Sequence, residues 1–141
     1  MKRMNVKSFF DTNLLIYLYS EDELDKQAQI LTQIKNTENR WISTQVLNEL
    51  SNTLRRKFKL EYADIVKVIA EIRANFEIIT VQIETIELAL KIAEKYRYSY
   101  YDSAIIAAAL ESSCTLLYSE DMQHNQIIEG QLKIINPFVQ D

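Results

Sequence analysis

Four acidic residues of this chain stand at positions where their carboxylates can act together: Asp11, Glu49, Asp102 and Asp121. Carboxylates that are brought together repel one another and therefore need cations. Oxygen ligands favour Mg²⁺ or Mn²⁺ over zinc, and the chain offers only one His and one Cys as other ligands. A metal held by acidic groups activates water and neutralises charge on a phosphate, so this set of residues suits the hydrolysis of a phosphodiester.

Two of the acids follow predicted strands. Asp11 comes directly after the apolar pair Phe9 and Phe10, and Asp121 comes three residues after Tyr118. In parallel sheets, functional sites form beyond the carboxyl ends of the strands. Each acid also has a local explanation, because Asp is a favoured helix N-cap and a common turn residue. For either residue taken alone, both explanations stay open.

The other two acids lie on predicted helices. Glu49 lies at the edge of the apolar stripe of its helix, where a Glu is most often solvated surface. Asp102 heads a stripe with Ile105, Ile106 and Ala109, at steps of three and four residues. The helix macrodipole stabilises an acid in the first turn. It does not explain a carboxylate aligned with a buried stripe, where an unpaired charge is costly.

The elements around these acids alternate between strand and helix. Short β-branched or aromatic runs predict strands at residues 8–10, 41–42, 77–81, 115–118 and 132–135. Apolar periodicity predicts helices at residues 13–19, 24–35, 44–58, 62–76, 83–93 and 102–111. The alternation indicates an α/β fold, with a parallel sheet and helices on both faces.

Length and composition indicate one domain, residues 1–141. The net charge of −4 argues against a nucleic-acid-binding protein at face value. Without the four acids, however, acidic and basic residues are equal at 16, so the charge balance permits, without demonstrating, an acidity that is concentrated in one pocket and offset by metal cations. The basic start, residues 1–7, is not followed by the apolar run of a signal peptide, and no run is long enough for a membrane helix. We therefore expect a cytoplasmic protein.

Four stretches of the chain resemble the PIN domain family, and within it the VapC-type toxins of bacterial toxin–antitoxin pairs. The stretches are Phe9-Phe10-Asp11-Thr12-Asn13, Asn48-Glu49-Leu50, Tyr101-Asp102-Ser103-Ala104-Ile105-Ile106-Ala107-Ala108-Ala109 and Leu117-Tyr118-Ser119-Glu120-Asp121. Those around Asp11 and Asp102 are the most specific, and the resemblance spans nearly the whole chain.

The resemblance implies a three-layer α/β/α PIN-like fold with a mostly parallel central sheet, and a metal-dependent endoribonuclease. The four acids match the family's quartet of catalytic residues, which bind Mg²⁺ or Mn²⁺. Thr12 and Asn13 match residues that support the first acid, and Ser119 matches a residue expected to orient the last one. The resemblance also implies RNA as substrate, a homodimer, and a small antitoxin that inserts into the acidic groove.

The chain departs from the family pattern after Asp121. Many members carry a further acid and then Phe, whereas Gln123 and His124 stand here. Glu120 is therefore an alternative fourth acid, although the alternation of a strand end predicts that Ser119 and Asp121 face the same way. The single histidine, His124, suits either proton transfer or an ordinary loop position.

Two further groups of residues have two interpretations each. A basic run suits either phosphate binding or a solvated helix end: Arg55, Arg56, Lys57 and Lys59. A tyrosine run suits either stacking on unpaired bases or packing at a core edge or dimer interface: Tyr96, Tyr98, Tyr100 and Tyr101.

Two other functions remain as alternatives. A haloacid-dehalogenase-type phosphatase also places an Asp after its first strand, but it needs a second Asp two positions later, where this chain has Asn13. A non-catalytic PIN-like module would hold RNA or protein without cutting it. Such a module is expected to show no Mn²⁺ uptake that depends on Asp102.

Overall fold

The computed structural model describes residues 6–140 of the chain. Residues 1–5 of the basic start and Asp141 lie outside the described residues, and both belong to the predicted 1–141 domain. The strands of the described part are β1 Lys7–Phe10, β2 Asn39–Ser43, β3 Glu77–Ile79, β4 Leu116–Tyr118, β5 Ile127–Ile128 and β6 Leu132–Ile135. Its α-helices are α1 Thr12–Ile16, α2 Leu24–Lys35, α3 Thr44–Arg56, α4 Tyr62–Asn75, α5 Ile83–Tyr96 and α6 Tyr100–Glu111.

The strands form one sheet in the order β3-β2-β1-β4-β6-β5. Every neighbouring pair is parallel except β5 and β6, which are antiparallel. The predicted α/β fold with a mostly parallel sheet is therefore confirmed, and helices flank that sheet. Strand β5 was not predicted, because two residues are too few to give a period.

The central strand β1 is short and almost fully buried. Ser8, Phe9 and Phe10 are all buried, although their side chains alternate between the two faces of the sheet. Helices cover both faces of a parallel sheet, so its strands are continuous apolar runs rather than alternating ones. Phe9 lies opposite Trp41 of β2 on one side and Leu117 of β4 on the other. This pairing places the ends of three strands beside one another.

Helix α3 begins directly at the end of β2. Ser43 is its N-cap, and the Ser43 side chain accepts a hydrogen bond from the backbone N–H of Val46 at 3.3 Å. Val46, Leu50 and Leu54 are fully buried, which fixes the rotation of the helix about its axis. Glu49 is consequently held at the edge of the buried stripe, as the sequence predicts.

Helix α6 is buried from residue 103 to residue 109. Ala104 and Ala107 pack with Ala89 of α5, and these small side chains allow the two helices to approach closely. The helix begins at Tyr100 rather than at Asp102, because Ser99 is the N-cap and accepts a 3.2 Å hydrogen bond from the Asp102 N–H. Asp102 therefore lies in the first turn.

Helix α5 shows where apolar spacing misleads. Its existence is confirmed, but three members of the stripe that predicts it, Ile83, Ile86 and Leu90, are exposed. The buried positions are instead Thr85, Ala89 and Ile92. Ala89 packs against the alanines of α6, where only a small side chain fits, and Ile92 joins the main core, so the exposed apolar residues lie outside both contacts. Within residues 6–140, no helix has the length and apolarity needed to cross a bilayer.

Candidate active site

The site lies at the carboxyl edge of the sheet, where β1 and β4 end side by side. Phe10 is paired with Tyr118, and the Asp11 N–H donates a hydrogen bond of 3.0 Å to the Tyr118 carbonyl oxygen. Asp11 and Ser119, the residues that directly follow β1 and β4, therefore lie next to each other. The Ser119 hydroxyl then donates to Oδ2 of Asp11 at 2.8 Å.

Asp11 is both a helix cap and a buried acid. Its Oδ1 accepts a hydrogen bond from the Thr12 N–H at 2.7 Å, and the residue is only 6% exposed. The pKa of Asp11 is raised to about 7, mainly by burial and also by the negative charges of Asp102 and Glu49, while the hydrogen bonds from Ser119 and Thr12 oppose the shift. The role of helix cap explains the contact of Asp11 Oδ1 with the Thr12 N–H. It does not explain why the negative charges of Asp102 and Glu49 lie near this buried acid.

Glu49 reaches this space from helix α3. The Thr12 hydroxyl donates a 2.8 Å hydrogen bond to Glu49 Oε1. The pKa of Glu49 is raised, mainly by burial and also by the charge of Asp102, although the hydrogen bond from Thr12 opposes the shift. The side chain is therefore directed toward the other acids, and is not the freely solvated Glu of the alternative interpretation.

Asp102 enters from the first turn of α6 and is half-buried. Its pKa is raised, mainly by burial and also by the charge of Asp121, although a hydrogen bond with Ser99 opposes the shift. The role of Ser99 was missed at the sequence level. A Ser three residues before the acid that opens an apolar helix is an N-cap signal, and it would have identified Ser99.

Asp121 is the most exposed of the four acids. Asn13 donates a side-chain hydrogen bond to its Oδ2, and the Asp121 N–H donates to the Ser119 hydroxyl oxygen at 3.2 Å. The alternative fourth acid, Glu120, is engaged elsewhere: it pairs with Lys26 and accepts a hydrogen bond from the Tyr17 hydroxyl. Burial raises the pKa of Glu120, but the hydrogen bonds from Lys26 and Tyr17 outweigh this effect and leave the pKa lowered.

The supporting residues divide their contacts among three acids. Thr12 holds Asp11 through its backbone and Glu49 through its hydroxyl, and Asn13 holds Asp121. Ser119 donates to Asp11, and it accepts from the backbone of Asp121 rather than contacting that carboxylate. Each of the three residues named by the resemblance thus contacts the acidic set.

His124 occupies a loop position. Its Nδ1 accepts a hydrogen bond of 2.9 Å from the Asn136 N–H, which ties the loop after Asp121 to the end of β6. The next residue, Asn125, has a φ of 70°, the left-handed conformation that Asn tolerates best among residues with a side chain.

The tyrosine run divides into two pairs. Tyr96 donates to Glu129 at 2.7 Å, and Tyr98 donates to Gln126, so both hold the segment between β4 and β6. Tyr100 and Tyr101 are instead 37% and 60% exposed, and their rings meet edge to face.

The donor set of the site fits a hard divalent cation in its chemistry. The charges of Asp11, Glu49, Asp102 and Asp121 act on one another, and three of these four carboxyls have a raised pKa. Only carboxylate oxygens are offered, which Mg²⁺ and Mn²⁺ accept readily. In the described range 6–140, no three His, Cys, Asp or Glu side chains are gathered closely enough to hold a metal ion. A cation would therefore have to draw the carboxylates together.

Comparison with solved structures shows the same fold in bacterial toxins. A toxin–antitoxin complex from Klebsiella pneumoniae matches with a TM-score of 0.72 at 19% identity, covering 94% of this chain and 98% of that one. The DNA-bound VapBC complex from Salmonella typhimurium matches with a TM-score of 0.66 at 20% identity, covering 92% and 96%. VapC20 from Mycobacterium tuberculosis, described as a toxin that cleaves the sarcin-ricin loop, matches with a TM-score of 0.65 at 17% identity, covering 82% and 90%.

These identities are low, so the structural matches show the shared fold alone. No curated protein matches this chain. The family model of the PIN domain matches residues 8–129, which include all four acids and the sheet edge that carries Asp11 and Asp121. The chain belongs to the PIN domain family.

Proposed function

We propose that this chain is a Mg²⁺- or Mn²⁺-dependent endoribonuclease and the toxin of a toxin–antitoxin pair. The observation that supports it most is the set of mutually acting carboxylates at the sheet edge. Asp11 is buried, its pKa is raised to about 7, and the charges of Asp102 and Glu49 contribute to that shift. Buried negative charges without a basic partner are costly, and a bound cation removes that cost.

Asp11, Glu49, Asp102 and Asp121 would hold the cation. When bound, it supplies Lewis-acid stabilisation of the charge on the scissile phosphate and lowers the pKa of water. The chain's own residues orient the ligands. Ser119 and the Thr12 N–H each engage one oxygen of Asp11. The Thr12 hydroxyl engages Oε1 of Glu49 and leaves Oε2 without a hydrogen bond from a described residue.

The proposed partners rest on analogy with the matched solved structures. The matched complexes from Klebsiella and Salmonella are a toxin–antitoxin complex and a VapBC complex, and VapC20 is described as a toxin that cleaves the sarcin-ricin loop. By analogy, RNA is the substrate proposed here, and a small antitoxin polypeptide is the proposed inhibitor. A homodimer and a cytoplasmic location are part of the same proposal.

The test uses single substitutions that remove charge with little change in volume. Asp11→Asn and Asp102→Asn should abolish Mn²⁺-dependent cleavage of RNA and weaken Mn²⁺ binding in calorimetry. Asp25→Asn, an exposed acid in the first turn of α2, is the matched control and should cut like the wild type.

Two outcomes would contradict the proposal. RNA cleavage that survives Asp11→Asn in a clean preparation would refute the assignment of the site. Mn²⁺ binding that is unchanged in Asp102→Asn would instead favour a non-catalytic PIN-like module. Position 13 weakens the phosphatase alternative. A phosphatase of that type needs a second catalytic Asp there, whereas this chain has Asn13, whose amide donates a hydrogen bond to Asp121.

A further inference from the structure

A second feature adjoins the acidic set on the outer side of helix α3. A cleft of about 350 Å³ is lined by Gln45, Asn48, Glu49, Asn52 and Tyr101. It shares Glu49 with the acids, and Tyr101 is the residue directly before Asp102. Whatever occupies this cleft therefore lies next to the proposed cleavage point.

The cleft offers hydrogen-bonding groups that the fold does not use. The side-chain amides of Gln45, Asn48 and Asn52 make no hydrogen bond to any residue in the described part of the chain. Each amide presents both a donor and an acceptor, which is the combination that reads the edge of a nucleobase. Glu49 is the only ionised group of the lining, so the rest of the cleft does not repel a phosphate.

Tyr101 supplies a flat apolar surface at the same place. It is 60% exposed, and among the ring contacts of the described residues its ring meets only that of Tyr100, with the two planes at 69°. Burial and hydrogen bonding account for Tyr96 and Tyr98, but no structural role of this kind accounts for Tyr101. An exposed ring beside unused amides is the arrangement on which an unpaired base stacks.

Helix α3 continues from this cleft to a basic end. Residues 45, 48, 52 and 56 follow one another at steps of three and four, so they share one face of the helix. Arg56 is exposed, whereas Arg55 donates to the Leu60 carbonyl and stacks on Tyr62. Arg56 lies seven residues after Glu49, or roughly 10 Å along the axis at ~1.5 Å per residue.

We infer that the cleft is a subsite for an unpaired base of an RNA strand that runs along α3, and this inference rests on the proposed function. The base stacks on Tyr101 and its edge contacts the amides of Asn48 and Asn52. A phosphate farther along the strand contacts Arg56. The acids then face the phosphodiester next to the held base, so the subsite selects which base adjoins the cut.

The first test measures binding without cleavage, using a fluorescent unstructured RNA oligonucleotide and metal-free protein. Tyr101→Ala should weaken binding by about 5-fold or more, whereas Tyr101→Phe keeps the ring and should stay within about 2-fold. The double variant Asn48→Ala with Asn52→Ala should weaken binding and alter the base preference at the cut in a random RNA library. Gln29→Ala, an exposed amide on α2, is the control and should change neither.

The second test uses salt. Arg56→Gln should lower the slope of log K against log salt concentration by about 0.7, the value for one lost phosphate contact to a single strand. Arg73→Gln, an exposed arginine in the last turn of α4, should leave the slope unchanged.

The outcomes separate this inference from the proposed function. If the wild type cuts RNA but Tyr101→Ala binds RNA as tightly and cuts at the same bases, the subsite is refuted while the nuclease stands. The cleft would then be a surface for a protein partner instead. If the wild type cuts no RNA in the presence of Mn²⁺, the proposed function fails, whatever the binding data show.

Discussion

The Thr12 hydroxyl donates a hydrogen bond of 2.8 Å to Glu49 Oε1, across 37 residues of sequence. Through its backbone, the same residue donates to Asp11 at 2.7 Å. One threonine thus orients two acids that come from different elements. Thr12 is itself buried, so its position is fixed by the start of α1 and not by the acids that it contacts.

Thr12→Val should therefore weaken metal binding without unfolding the protein. The valine keeps the branched shape but removes the hydroxyl, so Glu49 loses the hydrogen bond that holds it. Loss of a group that orients a metal ligand typically lowers metal affinity about 10- to 100-fold. Titration calorimetry with Mn²⁺ measures the effect. Thr32→Val on the exposed face of α2 is the control, and equal affinities in the two variants would contradict the role of Thr12.

The stability of the metal-free protein should fall as pH rises from about 4 to about 7. The folded state keeps the proton of Asp11 up to a pKa of about 7, whereas the unfolded chain loses it near 3.8. The folded state therefore binds more protons in that interval, and the free energy of unfolding decreases with pH until it levels off above the folded pKa. At ~1.4 kcal/mol per pKa unit, the loss is on the order of a few kcal/mol.

Urea unfolding at several pH values in the presence of a chelator measures this slope. Asp11→Asn should flatten it, and the raised pKa values of Glu49 and Asp102 should leave a smaller slope of the same sign. Asp25→Asn should keep the full slope. A profile that is equally steep in Asp11→Asn and in the wild type would show that Asp11 is not the group responsible.

Glu120→Gln and Asp121→Asn should behave differently, because the two neighbouring acids face different partners. Glu120 is paired with Lys26 and Tyr17, so its loss should lower stability by about 1 kcal/mol or less and leave Mn²⁺ affinity nearly unchanged. Asp121 faces Asn13 and acts on Asp102, so its loss should weaken Mn²⁺ binding. If Glu120→Gln weakens Mn²⁺ binding more than Asp121→Asn, the fourth acid is Glu120.

Ala107→Leu should destabilise the fold through the contact between α5 and α6. Ala107 is fully buried and packs with Ala89 and Ala104, so a larger side chain has no space. Overpacking of this kind typically costs about 1–3 kcal/mol, which the urea midpoint detects. Ala28→Leu on the exposed side of α2 is the control. A midpoint that is unchanged in Ala107→Leu would mean that the two helices separate easily.

Much of the fold follows from local sequence patterns. Helix α2 and strand β6 have the predicted bounds, because Leu24–Lys35 and Leu132–Ile135 carry clear periods. Periodicity does not determine which face is buried, however. On α5, Ile83 is exposed, whereas Thr85 is buried and its hydroxyl accepts from the Gln82 N–H and donates to Glu111, a contact with α6 that the apolar spacing does not predict.

The candidate site was predictable in its residues but not in its contacts. Residue type and element boundaries single out Asp11 and Asp102, whereas a parallel register is needed to bring Ser119 to Asp11. The resemblance assigns Thr12 and Asn13 to the first acid, yet Thr12 also holds Glu49, and Asn13 reaches Asp121. Such contacts depend on tertiary distances, which no sequence spacing encodes.

The hydrogen bond from Ser119 to Asp11 joins positions 108 residues apart. It can form only after β4 has been added beside β1, once the chain has been synthesised through Ser119. A polypeptide still emerging from the ribosome has Asp11 and Glu49 but lacks Ser119 and Asp121. Non-local parallel pairing is also slow to form. The candidate site is therefore assembled only after Ser119 and Asp121 have left the ribosome and β4 has paired with β1.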